Sequence, residues 1–366
     1  MKVGRVVLNR FLLLLAGLLS LIPAFMAVAG CYVSYLHPSR QPAVHWLGLL
    51  LPILLMLNLV ILLLWCWRRS RWAVVPIVAL LNCIPYLTSI FNWPVGKTAP
   101  PERKVTVVSY NIRNEISKNI LLDGQAFARF IEEREADIVC LQEFPAGGAV
   151  REGLIVELTK LLPYYRIASQ KPGSLIVALF SRYPIVEMQP VLFPDESGNI
   201  SVWADLDLGG VKIRVFNNHL QTTSVNQNRV KPSFNLGSTY EQIVRLKRVV
   251  EKNGVIRARQ ADAVRREIDR SPYPVIVCGD FNTPPSSYSY RVIKGRLRDS
   301  FRVAGKGYGY SYRYLRKLFR IDFVLYDPSV FRSTNYFSPE LEYSDHKPIV
   351  ATFDFTTDSA SNLFLK

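Results

Sequence analysis

Pro274-Val275-Ile276-Val277-Cys278-Gly279-Asp280-Phe281-Asn282 is the stretch on which the reading of this 366-residue chain turns. Four successive apolar, mostly β-branched residues read as a strand buried on both faces, because a half-exposed strand would alternate with polar residues. The run then stops at a glycine followed by an acid and an amide. One acid after one strand is ordinarily a turn or a helix cap. Here the arrangement recurs. Val105–Ser109 leads into Tyr110-Asn111-Ile112-Arg113, Asp137–Leu141 into Gln142-Glu143, and Val211–Asn217 into Asn218-His219-Leu220. Arg320-Ile321-Asp322-Phe323-Val324-Leu325 and Ser344-Asp345-His346-Lys347-Pro348-Ile349-Val350 complete a set of six. Between them the pattern predicts a helix over Gln125–Glu135, a strand over Leu175–Phe180 running into Ser181-Arg182-Tyr183-Pro184, and a basic helical region over Thr239–Arg270. No internal repeat is visible.

Histidine narrows the chemistry. Of four histidines, His37 and His45 lie in the apolar N-terminal quarter, so His219 and His346 alone serve the rest of the chain, and both sit in strand-end clusters. Two imidazoles beside several carboxylates suit acid–base work near a hard cation. Carboxylate and amide oxygens suit Mg²⁺, Mn²⁺ or Ca²⁺. Zinc would need closely spaced His and Cys ligands, and Cys140 and Cys278 have no such neighbours. Five cysteines (Cys31, Cys66, Cys83, Cys140, Cys278) in apolar or strand-like runs make no disulfide framework and read as buried thiols.

The N-terminal quarter is of another kind. Residues 1–98 hold eight Lys/Arg and no acid, whereas the rest carries 37 basic and 29 acidic side chains, a net charge of +8. That remainder has the polarity of a large globular domain, which excludes general disorder. Three apolar runs, about 11–36, 44–67 and 72–91, are long enough to cross a hydrocarbon core of roughly 30 Å as helices. Trp46, Trp65, Trp67, Trp72 and Trp93 fall near their ends, where an amphipathic ring prefers the interface, and Pro23, Pro52, Pro76 and Pro85 lie inside them. Lys2, Arg5 and Arg10 precede the first run, and Arg68, Arg69 and Arg71 crowd the second turn, against Arg40 alone in the first. The positive-inside rule therefore predicts a cytoplasmic N-terminus and an extracytoplasmic C-terminal domain, although Lys97, Arg103 and Lys104 flank the third run on its outer side. Val28-Ala29-Gly30-Cys31 reads either as a lipoprotein cleavage box with Cys31 lipidated or as small residues for helix packing. The expected organisation is a membrane domain over 1–93, a linker over 94–103, a catalytic domain over 104–356 and a tail over 357–366.

Taken in order, Tyr110-Asn111-Ile112, Leu141-Gln142-Glu143, Ser181-Arg182-Tyr183-Pro184, Asn218-His219-Leu220, Gly279-Asp280-Phe281-Asn282, Arg320-Ile321-Asp322 and Ser344-Asp345-His346 resemble the endonuclease/exonuclease/phosphatase superfamily. It includes deoxyribonuclease I, apurinic endonucleases, neutral sphingomyelinases and inositol polyphosphate phosphatases. The resemblance spans about 104–354 and implies an α/β (α+β) fold, a four-layer sandwich of two packed, mostly antiparallel sheets with outer helices, here preceded by the three transmembrane helices. It implies Mg²⁺ (or Mn²⁺ or Ca²⁺) held by Glu143 with Asn111 and Asp345, water and phosphate positioned by Asp280 and Asn282, and a carboxylate–imidazole pair of Asp322 and His346. His219 matches a second histidine of the deoxyribonuclease and sphingomyelinase branches, where apurinic endonucleases have Asn. Arg113 departs from the pattern, standing where some nucleases carry an acid near the metal.

The expected function is a membrane-tethered, divalent-metal-dependent phosphoesterase, a phosphodiesterase or phosphatase, on the outer face of a bacterial inner membrane. Its substrate would be a lipid headgroup, a small phosphoester or nucleic acid, its second partner membrane lipid, and no motif calls for an obligate protein partner. Two other readings stand beside it: a membrane-anchored nuclease acting on extracytoplasmic DNA or RNA, and a non-catalytic receptor for a phosphate ligand. The nine Lys/Arg between Arg245 and Arg270 fit either a nucleic-acid groove or a solvated helix face, since acids are interspersed among them. The aromatic run Tyr308-Gly309-Tyr310-Ser311-Tyr312-Arg313-Tyr314 fits stacking on a ring, insertion at a lipid interface, or a plain hairpin.

Overall fold

The computed structural model describes residues 2–93, 103–113, 122–225 and 236–355. The expected 94–103 linker, save its last residue, and the 357–366 tail lie outside the described residues. In chain order the N-terminal part is α1 (Lys2–Tyr32), α2 (His45–Trp67), α3 (Val74–Asn82), α4 (Ile84–Ile90) and the two-residue strand β1 (Phe91–Asn92). The C-terminal part continues with β2 (Lys104–Asn111), α5 (Gly124–Glu133), β3 (Ile138–Gln142), α6 (Gly148–Thr159), β4 (Tyr164–Ser169), β5 (Ile176–Ser181) and β6 (Ile185–Pro190). Next come β7 (Ile200–Asp207), β8 (Lys212–His219), α7 (Leu236–Asp269), β9 (Val275–Asp280), α8 (Tyr288–Lys294), β10 (Arg298–Asp299) and α9 (Ser300–Ala304). β11 (Gly307–Tyr308), β12 (Asp322–Tyr326), β13 (Phe331–Phe337) and β14 (Ile349–Phe355) end the described chain.

Two six-stranded sheets, ordered β10-β12-β9-β8-β7-β6 and β13-β14-β2-β3-β5-β4, form the sandwich. Only β2–β3 and β8–β9 run parallel within them. A parallel pair needs a crossover, and α5 and α7 supply the two. The reason the strands read as unbroken apolar runs is now visible. Val107, Cys140, Val215, Ile276, Cys278 and Val324 fill the space between the sheets. Their chain neighbours point outward, Val108, Val139 and Leu141 under α5 and α6, and Phe216, Val277 and Phe323 under α7 and α8. Both faces of each central strand are covered, so both are mostly apolar.

The membrane-like part differs from expectation in one place. Two segments, Val6–Tyr35 and Pro42–Trp67, are long and apolar enough to cross a membrane. The third expected run is not one helix, but breaks between α3 and α4 with a bend of 56°. Pro85 follows the break: it lacks an N–H, and its ring disfavours a helical residue before it and crowds the carbonyl four residues back. Pro23 and Pro52, by contrast, sit inside unbroken helices. Asn58 donates to the Pro23 carbonyl at 3.0 Å, and the Trp65 indole to Ser20 at 3.0 Å, two polar clasps between α1 and α2. Val28–Cys31 lies within α1, and a Cβ on Gly30 would approach the Leu47 carbonyl at 2.8 Å, so the small residue serves close helix packing. All five thiols are free. Cys83, Cys140 and Cys278 are buried as expected, but Cys31 is half-buried and Cys66 exposed, because Cys66 lies on an outer face of α2 with no neighbouring helix over it.

The helices are clamped to the sandwich. Buried Arg320 donates to the Ser89 carbonyl of α4 at 2.7 Å and to Asp299 at 2.6 Å, between the rings of Phe301 and Phe323. Asn92 caps the end of α9 through the carbonyls of Phe301 and Gly305, and β1 pairs with β11. Ser286 donates to the Gly48 carbonyl at 2.8 Å, and His37 meets Asp262 of α7 at 3.3 Å.

Candidate active site

The register of the first sheet sets the site's floor. His219 of β8 is the cross-strand partner of Asp280 in β9, and Asp280 is the partner of Asp322 in β12. Three residues far apart in sequence thus form one row across adjacent strand ends. In the second sheet Asn111 is the partner of Gln142, one residue before Glu143. Facing sheets bring both rows to one mouth. Gly279 makes the close approach possible: its φ of +128° and the Asn218 backbone beside it leave no room for a Cβ.

Asp280 is the hub. Its Oδ1 accepts the Asn282 backbone N–H at 2.7 Å, and its Oδ2 accepts the side-chain amides of Asn111 and Asn282, each at 3.1 Å. The Nε2 atoms of His219 and His346 stand 3.8 and 3.7 Å from that same oxygen. Burial pushes the Asp280 carboxyl up to about 6, with repulsion from Asp322 adding to the rise and the two imidazoles opposing it. His346 Nδ1 lies 2.9 Å from Asp322 Oδ2. Burial alone would lower the imidazole, but Asp322 and Asp280 outweigh it and raise His346 to about 10.

Glu143 accepts from Asn111 at 3.0 Å and faces His219 Nε2 at 3.2 Å through the same oxygen. Burial works to raise its carboxyl, but the His219 and Asn111 contacts hold it at about 2, so it is ionised at any ordinary pH. Glu143, Asn282 and Arg113 all adopt left-handed backbone, with φ of +52°, +54° and +43°. Asn tolerates that region; a Glu or Arg there stores strain of about 1–3 kcal/mol, which surrounding structure must hold.

The structure brings all eight expected residues together: Asn111, Glu143, His219, Asp280, Asn282, Asp322, Asp345 and His346. Two other motif positions are placed as well. Arg113, where some nucleases carry an acid near the metal, is paired with an acid, its Nη1 donating to Asp345 Oδ2 at 2.6 Å. The Ser181–Pro184 motif is at the opposite end of its sheet, where Ser181 pairs with Ile138 and Arg182 meets Asp137 at 3.0 Å. Asn199 was not foreseen: it holds His219 Nδ1 at 3.1 Å, and an Asn after Gly carries only a turn signal. Ser344, quoted with its motif but given no role there, donates its hydroxyl to the Asn111 carbonyl at 2.7 Å and accepts the His346 backbone N–H at 3.1 Å. The tyrosines divide their roles, Tyr308 in β11 and Tyr312 with its ring 5.1 Å from that of His346.

The donor set fits a hard divalent ion. Asp345 Oδ1 is buried with no hydrogen-bond partner among the described residues, and burial and the Glu143 charge both raise its carboxyl. Two mutually repelling carboxylates beside a carboxamide are what a cation with oxygen preference would satisfy. Asp280, Asp322 and His346 form a second group with one ligand atom each, all within 4.8 Å of one another.

Fold and site together place the chain among metal-dependent phosphoester hydrolases. No curated protein matches it. It belongs to the endonuclease/exonuclease/phosphatase family, whose sequence model matches residues 108–346, while a domain of unknown function matches residues 9–90. An endonuclease/exonuclease/phosphatase from Bacteroides vulgatus is 18% identical with a TM-score of 0.51, covering 70% of this chain and 100% of its own. Truncated Caenorhabditis elegans TDP2 is 18% identical with a TM-score of 0.50, over 69% and 98%. At that identity the likeness is one of fold.

Proposed function

We infer that the chain is a membrane-tethered phosphoester hydrolase working on the outer face of a bacterial inner membrane, with Mg²⁺, or Mn²⁺ or Ca²⁺, held by Glu143, Asn111 and Asp345. The observation that carries this reading is the Asp280 hub, which two imidazoles, two amides and one backbone N–H approach at one strand-end mouth. When bound, the ion offsets the charge that builds on the phosphoryl oxygens during attack. The chain's own groups do the rest. Asp280 and Asn282 orient the attacking water and a phosphoryl oxygen. Asp322 fixes the His346 tautomer, so that Nε2 faces the reacting centre and moves a proton. His219, held by Asn199, donates toward the phosphate beside Glu143.

The receptor reading has no use for this equipment, since binding phosphate requires neither an oriented carboxylate–imidazole pair nor a water-positioning carboxylate. The basic helix gives the nuclease reading little support. Of its nine Lys/Arg, Arg265 pairs with Asp269, Arg270 with Glu267 at 3.1 Å and Lys247 with Glu251 at 3.9 Å, while buried Arg257 donates to the Gln221 carbonyl. Four of the nine are thus engaged, three of them with acids three or four positions away, as on a solvated helix face.

Assay of the detergent-solubilised full-length protein on bis(p-nitrophenyl) phosphate and p-nitrophenyl phosphate tests the reading. Turnover of either is expected, and the ratio tells diesterase from monoesterase; no turnover of either would overturn it. The orientation has its own test. A C-terminal alkaline phosphatase fusion should be active and a C-terminal GFP fusion dark, because the Arg68–Arg71 turn keeps to the cytoplasm. The reverse would move the site to the cytoplasmic side.

A further inference from the structure

The catalytic cleft, about 380 Å³ in volume, has a wall that the family domain does not supply. Glu143, His219, Asp280, Asn282, Asp345 and His346 line it, and so does Leu49 of α2, together with the apolar side chains of Leu315 and Phe319. The 23 residues of α2 make a rod of about 34 Å, just enough for a hydrocarbon core of roughly 30 Å. Leu49 comes four residues after the first residue of α2, so it stands only about 6 Å in from the helix end. Tyr32, Tyr35, Trp46 and Trp93 fall at the end of α1, the start of α2 and the end of the third run, the placement of interfacial aromatics.

This contact is built rather than incidental. Ser286, four residues after Asn282, is bonded to the Gly48 carbonyl beside Leu49, and Arg320, two residues before Asp322, is bonded to Ser89 of α4. The segments that follow Asn282 and precede Asp322 are thus tied to the membrane helices. The turn Leu315-Arg316-Lys317, whose leucine also lines the cleft, keeps left-handed backbone throughout, with the Tyr308 hydroxyl anchoring it to the Leu318 carbonyl at 2.6 Å. Its Arg316 and Lys317 are exposed next to β11, which pairs with the strand that ends the third run. Two cations at that level would face anionic headgroups.

We propose that the substrate is a phosphoester carried by a membrane lipid, which slides from the outer leaflet along Leu49 until its phosphate reaches the Asp280 hub. This rests on the phosphoesterase reading above and names its substrate class. The oxygen of water forms the new bond to phosphorus, the bond to the leaving alcohol oxygen breaks, and the proton lost by water ends on that alcohol, so no co-reactant is required. Apolar chains stay against α2 while the headgroup enters the polar floor, and that remote contact contributes to reaction only when the phosphate is seated.

The test uses full-length protein in mixed micelles containing phosphatidic acid or phosphatidylglycerol, with glycerol phosphate, glycerophosphoglycerol and single-stranded DNA as water-soluble counterparts. One of the two lipids should turn over at least ~10-fold faster than its soluble headgroup, at a rate set by its surface fraction rather than its bulk concentration. Leu49→Asp, and separately Leu315→Ser, should lower the lipid-to-soluble ratio by ~10-fold, with circular dichroism reporting that the variants fold. Soluble headgroups or DNA turned over as well as lipid, or a ratio unmoved by both variants, would overturn the lipid proposal and leave the phosphoesterase intact. Hydrolysis of none of these substrates, nor of bis(p-nitrophenyl) phosphate, would remove the phosphoesterase reading itself.

Discussion

Turnover should fall by about 10²–10⁴-fold when His346 is replaced by Ala, the usual worth of a positioned acid–base group. Asp322→Asn should cost a similar factor. In the native site the Asp322 carboxylate meets Nδ1 at 2.9 Å, which requires a proton on Nδ1 and turns Nε2 toward Asp280. An amide at position 322 can present its N–H₂ instead, which favours the opposite tautomer and withdraws the negative charge that stabilises the imidazolium. Because the two side chains work as one unit, the double variant should be little worse than either single one. Substrate affinity should change far less than turnover. Losses that add in the double variant would mean that Asp322 and His346 act separately, and lost binding with no hydrolysis in the wild type would favour a receptor.

Glu143→Gln should lower activity by at least ~10²-fold, the order expected when the anion that holds a charge-offsetting cation at the phosphate is removed. The side-chain oxygen of Gln can still accept from Asn111, as Glu143 does at 3.0 Å, so the fold should survive and circular dichroism should be unchanged. What is lost is an anion that burial penalises and that His219 and Asn111 keep ionised. Mn²⁺ affinity, followed by calorimetry on the same variant, should fall in step. Near-normal turnover with near-normal Mn²⁺ affinity would show that Glu143 is not the metal ligand.

Much of this site was legible because the sandwich covers both faces of its central strands. Val275–Cys278 has no polar position and Val105–Val108 only Thr106, so the polar residue that ends each run stands out, and Asn111, Glu143, His219 and Asp280 are found that way. Edge strands do not announce themselves like this. β4 is half-exposed along its length and β6 mostly exposed, so neither shows an apolar run, and their presence follows only from pairing with β5 and β7. Asn199 and Ser344 act through hydrogen bonds whose partners include residues far away in sequence, His219 and Asn111, which no local pattern announces. Arg113 could be recognised as a departure, but not as the partner of Asp345, 232 positions away. Leu49 is the extreme case: one leucine in an apolar helix carries no sign that a catalytic loop will lie against it. The bend after Cys83 was within reach, since Pro85 marks it, yet Pro23 and Pro52 sit in continuous helices. Whether a proline breaks a helix depends on neighbours that hold the freed backbone groups.

The central claim is that a divalent ion and this cluster together hydrolyse a phosphoester, and one chelation series tests it most directly. Full-length protein is stripped with EDTA, assayed on the better p-nitrophenyl substrate, and then supplied with Mg²⁺, Mn²⁺ or Ca²⁺ in turn. The account predicts that EDTA abolishes turnover, that at least one of the three ions restores it, and that no ion restores it in Glu143→Gln. Full activity retained in EDTA, or restoration in Glu143→Gln equal to that of the wild type, would contradict it.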